Sequence, residues 1–265
     1  MHVDSSLLSL LRDPVGLEPL ELEGDQLVNR TVGRRYPIVR AIPSFVATAK
    51  LGPQNSKFQR MYDRMARYYD LGLTVGNLFY RGRLADLRRQ LAAKLRLKAG
   101  DRVLYTSVGT GADLPYLAER VALESIEWVG LDLSMGMLRR CQKKLRSFTG
   151  AALLVQANAE CLPLADQSFD VVFHVGGINF FDRPATAVQE MVRVAKSGAQ
   201  ILVADETKKV VRENYRRSPF TRAYFRDTSD NFNPWEWVPP DVADATYEEV
   251  FYGRGYILTF KAPGR

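Results

Sequence analysis

The sequence predicts an α/β fold, a largely parallel sheet with helices on both faces, preceded by a small β-rich unit and closed by an antiparallel hairpin. Three observations predict it. Short β-branched runs alternate with helical runs from Arg102 to Asp205. A glycine-rich turn, Ser107-Val108-Gly109-Thr110-Gly111, joins the first of those runs to a helix. Two further β-rich runs end the chain, separated by Gly253 and Arg254. Strands spaced by helices imply right-handed crossovers and parallel pairing, with both faces of the sheet buried.

In order along the chain, residues 1–50 read as the small β unit. A helical turn over 7–11 precedes short strands over 18–22, 26–29 and 35–39, punctuated by Pro14, Gly16, Gly24 and Gly33. A boundary falls in 47–56, where Gly52, Pro53, Gln54, Asn55 and Ser56 follow one another, so the larger unit covers 51–265. Phe58, Met61, Tyr62, Met65, Tyr68 and Tyr69 recur at helical spacing and predict a helix over 57–71; Leu84, Leu87, Leu91 and Leu95 predict a second over 78–97. Strands follow over 102–107, 127–132, 151–156, 169–175 and 200–205, with helices over 114–121, 135–147 and 185–195. The hairpin runs over 246–252 and 255–261. Between them, 210–243 is rich in aromatics and prolines, suited to capping a pocket or to packing on the surface.

The 265 residues are 46% hydrophobic and 25% charged, the composition of a globular chain. No run of about 18 apolar residues occurs, so no membrane span is expected. The first residues have no basic region and no cleavage site, which argues for a cytoplasmic protein. Cys141 and Cys161 are too few for a disulfide framework and lack zinc-site spacing, so no metal is expected. The net charge of +7 lies wholly within 51–100, which holds 11 basic and 3 acidic residues. There Arg81, Arg83, Arg88, Arg89, Lys94, Arg96 and Lys98 crowd two helical stretches. They form either a patch for RNA, anionic lipid or an acidic substrate, or a solvated helix face.

Sheets of this kind bind ligands beyond the carboxyl ends of their strands. Four groups of candidates fall there. Gly109 and Gly111 have no Cβ, so the turn can take φ > 0 and let a ligand approach the main chain. Asp132, 21 residues past Gly111, can accept from both hydroxyls of a ribose; its other reading is a helix cap, although Ser134 stands where the cap belongs. Asn158-Ala159-Glu160 suits an adenine edge, and His174-Val175-Gly176 would floor the site near the reacting atom. A dinucleotide fingerprint needs a small residue at the third place of G-x-G-x-x-G, and Leu114 stands there.

The series VLYTSVGTGADL, VGLDLSMGML, ANAECLPLADQSFDVV and EMVRVAKSGAQILVADE resembles the class I S-adenosylmethionine-dependent methyltransferases over roughly 58–262. The resemblance implies a Rossmann-like seven-stranded sheet ending in an antiparallel hairpin, and S-adenosylmethionine as cofactor. Cofactor contacts are then expected at Ser107, Val108, Gly109, Thr110 and Gly111, at Asp132, Leu133 and Met137, at Asn158, Ala159 and Glu160, and at His174, Val175 and Gly176. The string YDRMARYYDL is similar to ubiquinone- and menaquinone-type methyltransferases, and implies that Tyr69 helps close over the cofactor. The chain departs from the pattern where Tyr105 stands for an acid, Ser107 for a glycine and Asn158 for an aspartate. Residues 7–46 resemble small zinc ribbons, related to methyltransferase activators, that carry two C-x-x-C pairs. The matching places are Asp13, Gly16, Asn29 and Val32, none a thiol, so a tetrahedral zinc site is not available.

The expected activity is methyl transfer to a small-molecule acceptor, quinone-like, lipid or secondary metabolite. No N-P-P-[YFW] signature follows the fourth strand, where His174-Val175-Gly176-Gly177-Ile178-Asn179 stands, and no Pro-Cys nucleophile occurs there. This disfavours methylation of planar amino groups and of cytosine C5. The alternatives are an RNA methyltransferase, from the basic segment, and a non-catalytic protein that binds S-adenosylmethionine or a partner. In-line displacement at a sulfonium methyl asks mainly for orientation and desolvation. His174 is the one candidate general base, with a pocket-lining role as its other reading.

Overall fold

The computed structural model describes residues 5–46, 51–216, 222–225 and 232–264. After α1 (Ser5–Leu8), strands β1 (Glu21–Glu23), β2 (Gln26–Val28), β3 (Arg35–Val39) and β4 (Ile42–Pro43) form an antiparallel meander. Helices α2 (Pro53–Phe79) and α3 (Arg83–Lys94) lead into the main sheet. Its strands and helices are β5 (Arg102–Thr106), α4 (Leu114–Ala118), β6 (Glu127–Asp132), α5 (Met135–Lys144), β7 (Ala152–Gln156), β8 (Phe169–Val175), α6 (Pro184–Val194), β9 (Ala195–Glu206), β10 (Ala243–Val250) and β11 (Gly255–Lys261). The strand order is β10-β11-β9-β8-β5-β6-β7. Strands β5 to β9 are parallel, and β11 pairs antiparallel with β9 and β10. Order runs outward in both directions from β5, so the switch point lies between β5 and β8.

Alternation along the strands divides the core into two layers. Leu104, Val129, Leu131, Leu153, Val172 and Ile201 pack on one face with α6 and the N-terminal unit. Val103, Tyr105, Trp128, Leu154, Phe173 and Leu202 pack on the other with α3, α4 and α5.

Several boundaries differ from the sequence reading. Residues 47–50 of the expected linker lie outside the described residues, and the rest of it enters α2, with Pro53 in the first turn. The two expected helices are redistributed. α2 runs through Gly72 and Gly76, and the break comes at Arg81 and Gly82, both in the left-handed region (φ +52° and +85°). Four of the seven basic residues over 81–98, read either as a patch or as a solvated helix face, have partners in the fold. Arg88 turns inward to Asp113, Arg89 pairs with Glu119 (3.1 Å), Lys94 with Glu248 (2.8 Å), and Arg83 lies over the Tyr252 ring. Of the expected cap over 210–243, residues 217–221 and 226–231 lie outside the described residues.

Two turns of the N-terminal meander, at Asp13 and Asn29, are held by side-chain hydrogen bonds. Asp13 Oδ1 accepts from Val15 N (2.9 Å) and Gly16 N (3.5 Å), and Asn29 Oδ1 accepts from Thr31 N (3.0 Å) and Val32 N (3.3 Å). Asn29 Nδ2 then donates to Asp13 Oδ2 (2.6 Å), cross-linking the turns, with Arg34 3.1 Å from the same carboxylate. The unit shares its core with the sheet. Leu7, Leu10, Leu11, Tyr36 and Phe45 pack with residues of β6 and β7, and Ser44 bridges to Gln156 on the edge strand.

Candidate active site

The turn after β5 is bent by three residues in the left-handed region, Ser107 (φ +67°), Gly109 (φ +55°) and Gly111 (φ +70°). A Cβ on Gly111 would meet Leu114 Cδ1 at 2.8 Å and Cys141 Sγ at 2.9 Å, so that glycine serves helix packing. Ser107 takes a conformation that costs a non-glycine residue about 1–2 kcal/mol. Gly109 N donates to Asp132 Oδ2 (2.8 Å), and Ser134 N donates to Asp132 Oδ1 (2.8 Å). The α5 cap is made by Ser134 Oγ, which accepts from Met137 N (3.2 Å). Asp132 therefore ties the two turns together at the head of a cleft, and burial pushes its carboxyl up to about 6.

That cleft, about 130 Å³, brings together ten of the expected residues. Ser107, Gly109, Asp132, Leu133 and Met137 come from the first two turns; Asn158, Ala159, Val175 and Gly176 come from the ends of β7 and β8. Tyr69 arrives from α2, together with Asn55, Phe58, Gln59 and Tyr62 of the same helix. The sequence reading missed these four, whose apolar members share the helical spacing of a core stripe. Gln59 Nε2 donates to Leu133 O (3.3 Å), which pins the helix over the β6 turn.

The other expected residues stand elsewhere. Val108 and Thr110 line a second cavity, and Gly111 lines neither. Glu160 is buried as a latch, accepting from Asn55 Nδ2 (2.7 Å) and from Arg183 N and Nε (3.0 and 3.1 Å). His174 does not face the cleft. It is 1% exposed, its Nε2 donates to Gly176 O (3.0 Å), and its Nδ1 lies 3.0 Å from Thr106 Oγ1. Burial pushes it down to about 4, leaving a neutral ring at neutral pH with both nitrogens engaged inside the protein. Along a strand, side chains alternate in direction; Val175 lines the cleft and His174 is turned away from it.

The second cavity is larger, about 440 Å³, and shares Tyr69, Ser107, Gly109, Val175, Gly176 and Phe180 with the first. Leu73, Tyr80, Leu84, Leu87 and Leu91 form an apolar wall. One polar end answers the departure at Tyr105. The Tyr105 hydroxyl donates to Asp113 Oδ2 (2.5 Å), and Arg88 pairs with the same carboxylate. An acid eight residues further along the chain thus stands beside the tyrosine that replaces one. The other polar end holds Asp205 and Glu206, where β9 finishes. Asp205 accepts from Asn179 N (3.0 Å) and Glu206 N (2.8 Å), and burial raises it to about 6. Glu206 is raised to about 7 by burial and the charge of Asp205, against a hydrogen bond from Tyr215 and the charge of Arg254.

A sheet of this order, with a glycine turn, a strand-end acid and a cleft at the switch point, has the fold of the class I S-adenosylmethionine-dependent methyltransferases. The comparisons agree: residues 104–203 match the family model described as a methyltransferase domain. Over 55% of its length the chain is 38% identical to the ubiquinone/menaquinone biosynthesis C-methyltransferase UbiE of Syntrophotalea carbinolica, covering 59% of that protein. It is 29% identical to the demethylmenaquinone methyltransferase of Renibacterium salmoninarum, over 60% of this chain and 63% of that one. The chain thus matches about three fifths of the length of these curated relatives. A Thermotoga maritima SAM-dependent methyltransferase, described as a possible histamine N-methyltransferase, shares the fold with a TM-score of 0.56 at 19% identity, over 77% of this chain and 99% of that one.

Proposed function

We propose that this chain transfers the methyl group of S-adenosylmethionine to a small apolar acceptor carrying an ionisable hydroxyl, of quinol type. One observation carries the reading: a cleft under the glycine turn, with Asp132 at its head and Asn158 in its wall, adjoins a larger cavity with a wall of leucines, and Tyr69, Ser107 and Gly176 line both. The residues present fit the cofactor. Asp132 spends one hydrogen bond per carboxylate oxygen on backbone and keeps lone pairs for a ribose. Leu133, Met137 and Asn158 offer apolar surface and an amide for an adenine. Arg88 and Asp113 present one charge of each sign, as an amino-acid zwitterion requires.

When bound, S-adenosylmethionine supplies a methyl group on a positively charged sulfur. The chain's part is to orient and to exclude water. Phe58, Tyr62 and Phe180 wall the cleft, and Leu73, Leu84 and Leu87 give an acceptor ring an apolar seat. Glu206, held by Tyr215, is the group that takes the acceptor's hydroxyl proton. The names of the two curated relatives support a quinone-type acceptor.

Calorimetric titration with S-adenosylmethionine tests the reading. Binding by the wild type, weakened about ten- to a hundredfold in Asp132→Ala, is the expected result. Absence of binding by the wild type would overturn it.

A further inference from the structure

Helix α2 has two faces with different surroundings. Phe58, Tyr62, Tyr69 and Leu73 line the cavities. The side turned away from them carries Tyr68, Leu71, Val75, Leu78 and Phe79, all exposed; Leu71 is 63%, Leu78 80% and Phe79 78% exposed. A single exposed leucine needs no explanation, but five large apolar residues along the outward side of a helix mark an interaction surface.

The charges of the helix are sorted as well. Its acids turn toward the sheet domain: Asp63 Oδ1 accepts from Ser134 Oγ (2.6 Å) and Gly136 N (2.8 Å), and Asp70 Oδ1 from Thr110 Oγ1 (2.6 Å) and Lys144 Nζ (2.9 Å). Three of its four cations, Arg60, Arg64 and Arg67, are exposed, while Lys57 lies over the Phe58 ring. Arg64 and Arg67 border a groove lined also by Arg139, Arg140 and Lys143 of α5, by Arg146 just beyond it and by Arg40 of the meander. Among the described residues Asp63 is the one acid lining that groove. Among the described residues none of these seven cations forms an ion pair, whereas Arg88, Arg89 and Lys94 nearby all do.

We propose that this face docks the chain on the surface of an anionic lipid bilayer, with Leu71, Val75, Leu78 and Phe79 in the headgroup boundary and the arginines of the groove on lipid phosphates. An apolar stripe flanked by unpaired cations is the pattern of a helix that lies in the interface plane. Among the described residues no helix is long and apolar enough to cross a membrane, so the contact is superficial. Charge complementarity selects a phosphate-bearing partner, and the aliphatic side chains select lipid over RNA. A nucleic acid binds cations and aromatic platforms, and offers nothing to Leu71, Val75 and Leu78. Docking of this kind would set the wall formed by Leu73, Tyr80 and Leu84 beside the phase in which an apolar acceptor dissolves. That last consequence rests on the proposed function; the docking does not.

Flotation of the full chain with vesicles tests it, using an equimolar phosphatidylglycerol and phosphatidylcholine mixture against phosphatidylcholine alone. The expected result is binding to the anionic vesicles only, weakened by salt. The combined Arg64→Ala, Arg67→Ala, Arg139→Ala variant should bind about a hundredfold more weakly. Leu71→Ser, Val75→Ser, Leu78→Ser and Phe79→Ser together should abolish flotation. These side chains are exposed, so thermal melting and S-adenosylmethionine affinity should stay at wild-type values and separate a docking defect from a failed fold or a failed cofactor reading. Equal flotation on both vesicle types would overturn the proposal. So would binding of polyuridylic acid that survives the apolar changes while vesicles are ignored, or a wild-type dimer that those changes dissociate without any vesicle binding.

Discussion

Glu206 is the residue through which chemistry at this site can be read. Its carboxyl, raised to about 7 by burial and by Asp205, exchanges a proton near neutral pH, the condition that suits a general base. Glu206→Gln keeps the shape and the acceptor oxygen facing Tyr215 and removes the proton site. With a quinol-type acceptor, kcat should fall about 10²- to 10⁴-fold, S-adenosylmethionine affinity should change little, and the rise of kcat through pH of about 7 should vanish. Unchanged kcat with the same pH limb would remove Glu206 from the mechanism. The glycine turn, Asp132 and Asn158 were legible in the sequence because strand-to-turn signals are local and the fold puts every such turn on one edge. Glu206 was not, since it follows Asp205 with no spacing that marks it. His174 shows the converse: its place at a strand end is local information, but the direction of its side chain depends on Thr106, Gly176 and Phe181 around it. Arg88 and Asp113 were hidden for the same reason, because a pairing across 25 residues reads in the sequence as a charge in a basic run and a polar turn.

At the scale of elements, the meander acts as a clamp on the edge of the sheet. Strand β7 would otherwise present an unpaired edge. Phe45 N donates to Gln156 O (2.9 Å) and Ser44 Oγ to Gln156 Oε1 (2.7 Å), while Gln156 Nε2 donates to Leu133 O (3.1 Å) at the turn after β6. The meander itself is held by the Asn29 to Asp13 hydrogen bond where a metal-bound ribbon would use thiolates. Asn29→Ala leaves the fully buried Asp13 carboxylate short of a charge-assisted partner and should cost about 1.5–3 kcal/mol. Because Leu7, Leu11 and Tyr36 share their core with β6 and β7, the loss should appear in one cooperative urea transition. A separate early transition would show instead that the meander unfolds by itself. The order and type of the sheet's strands were legible from their alternation with helices. The extent of α2 was not. Gly72 and Gly76 read as breakers, yet the helix continues through both, and α3 returns against it with Leu84 beside Gly76.

At the scale of the whole molecule, the site's buried carboxyls set how stability responds to pH. Burial raises Asp132 and Asp205 from 3.8 to about 6 and Glu206 from 4.5 to about 7. In the unfolded chain these groups have released their protons by pH of about 5. Between there and about 7 the folded protein holds more protons, so their contribution to stability is present at the acid end and is lost as pH rises through the folded values. His174 acts in the opposite sense. Burial lowers it from 6.5 to about 4, so its contribution is lost as pH falls through that interval. Three raised carboxyls against one lowered imidazole give a net decline. Urea denaturation should show stability falling by about 1–3 kcal/mol from pH 5 to pH 8, with part of the slope removed in Glu206→Gln. Stability rising over that range would mean that these carboxyls are solvated and ionised like surface groups. The same three side chains line the cavities, so the fold carries its electrostatic cost in the walls of the candidate site, the usual place for stability to be traded for activity.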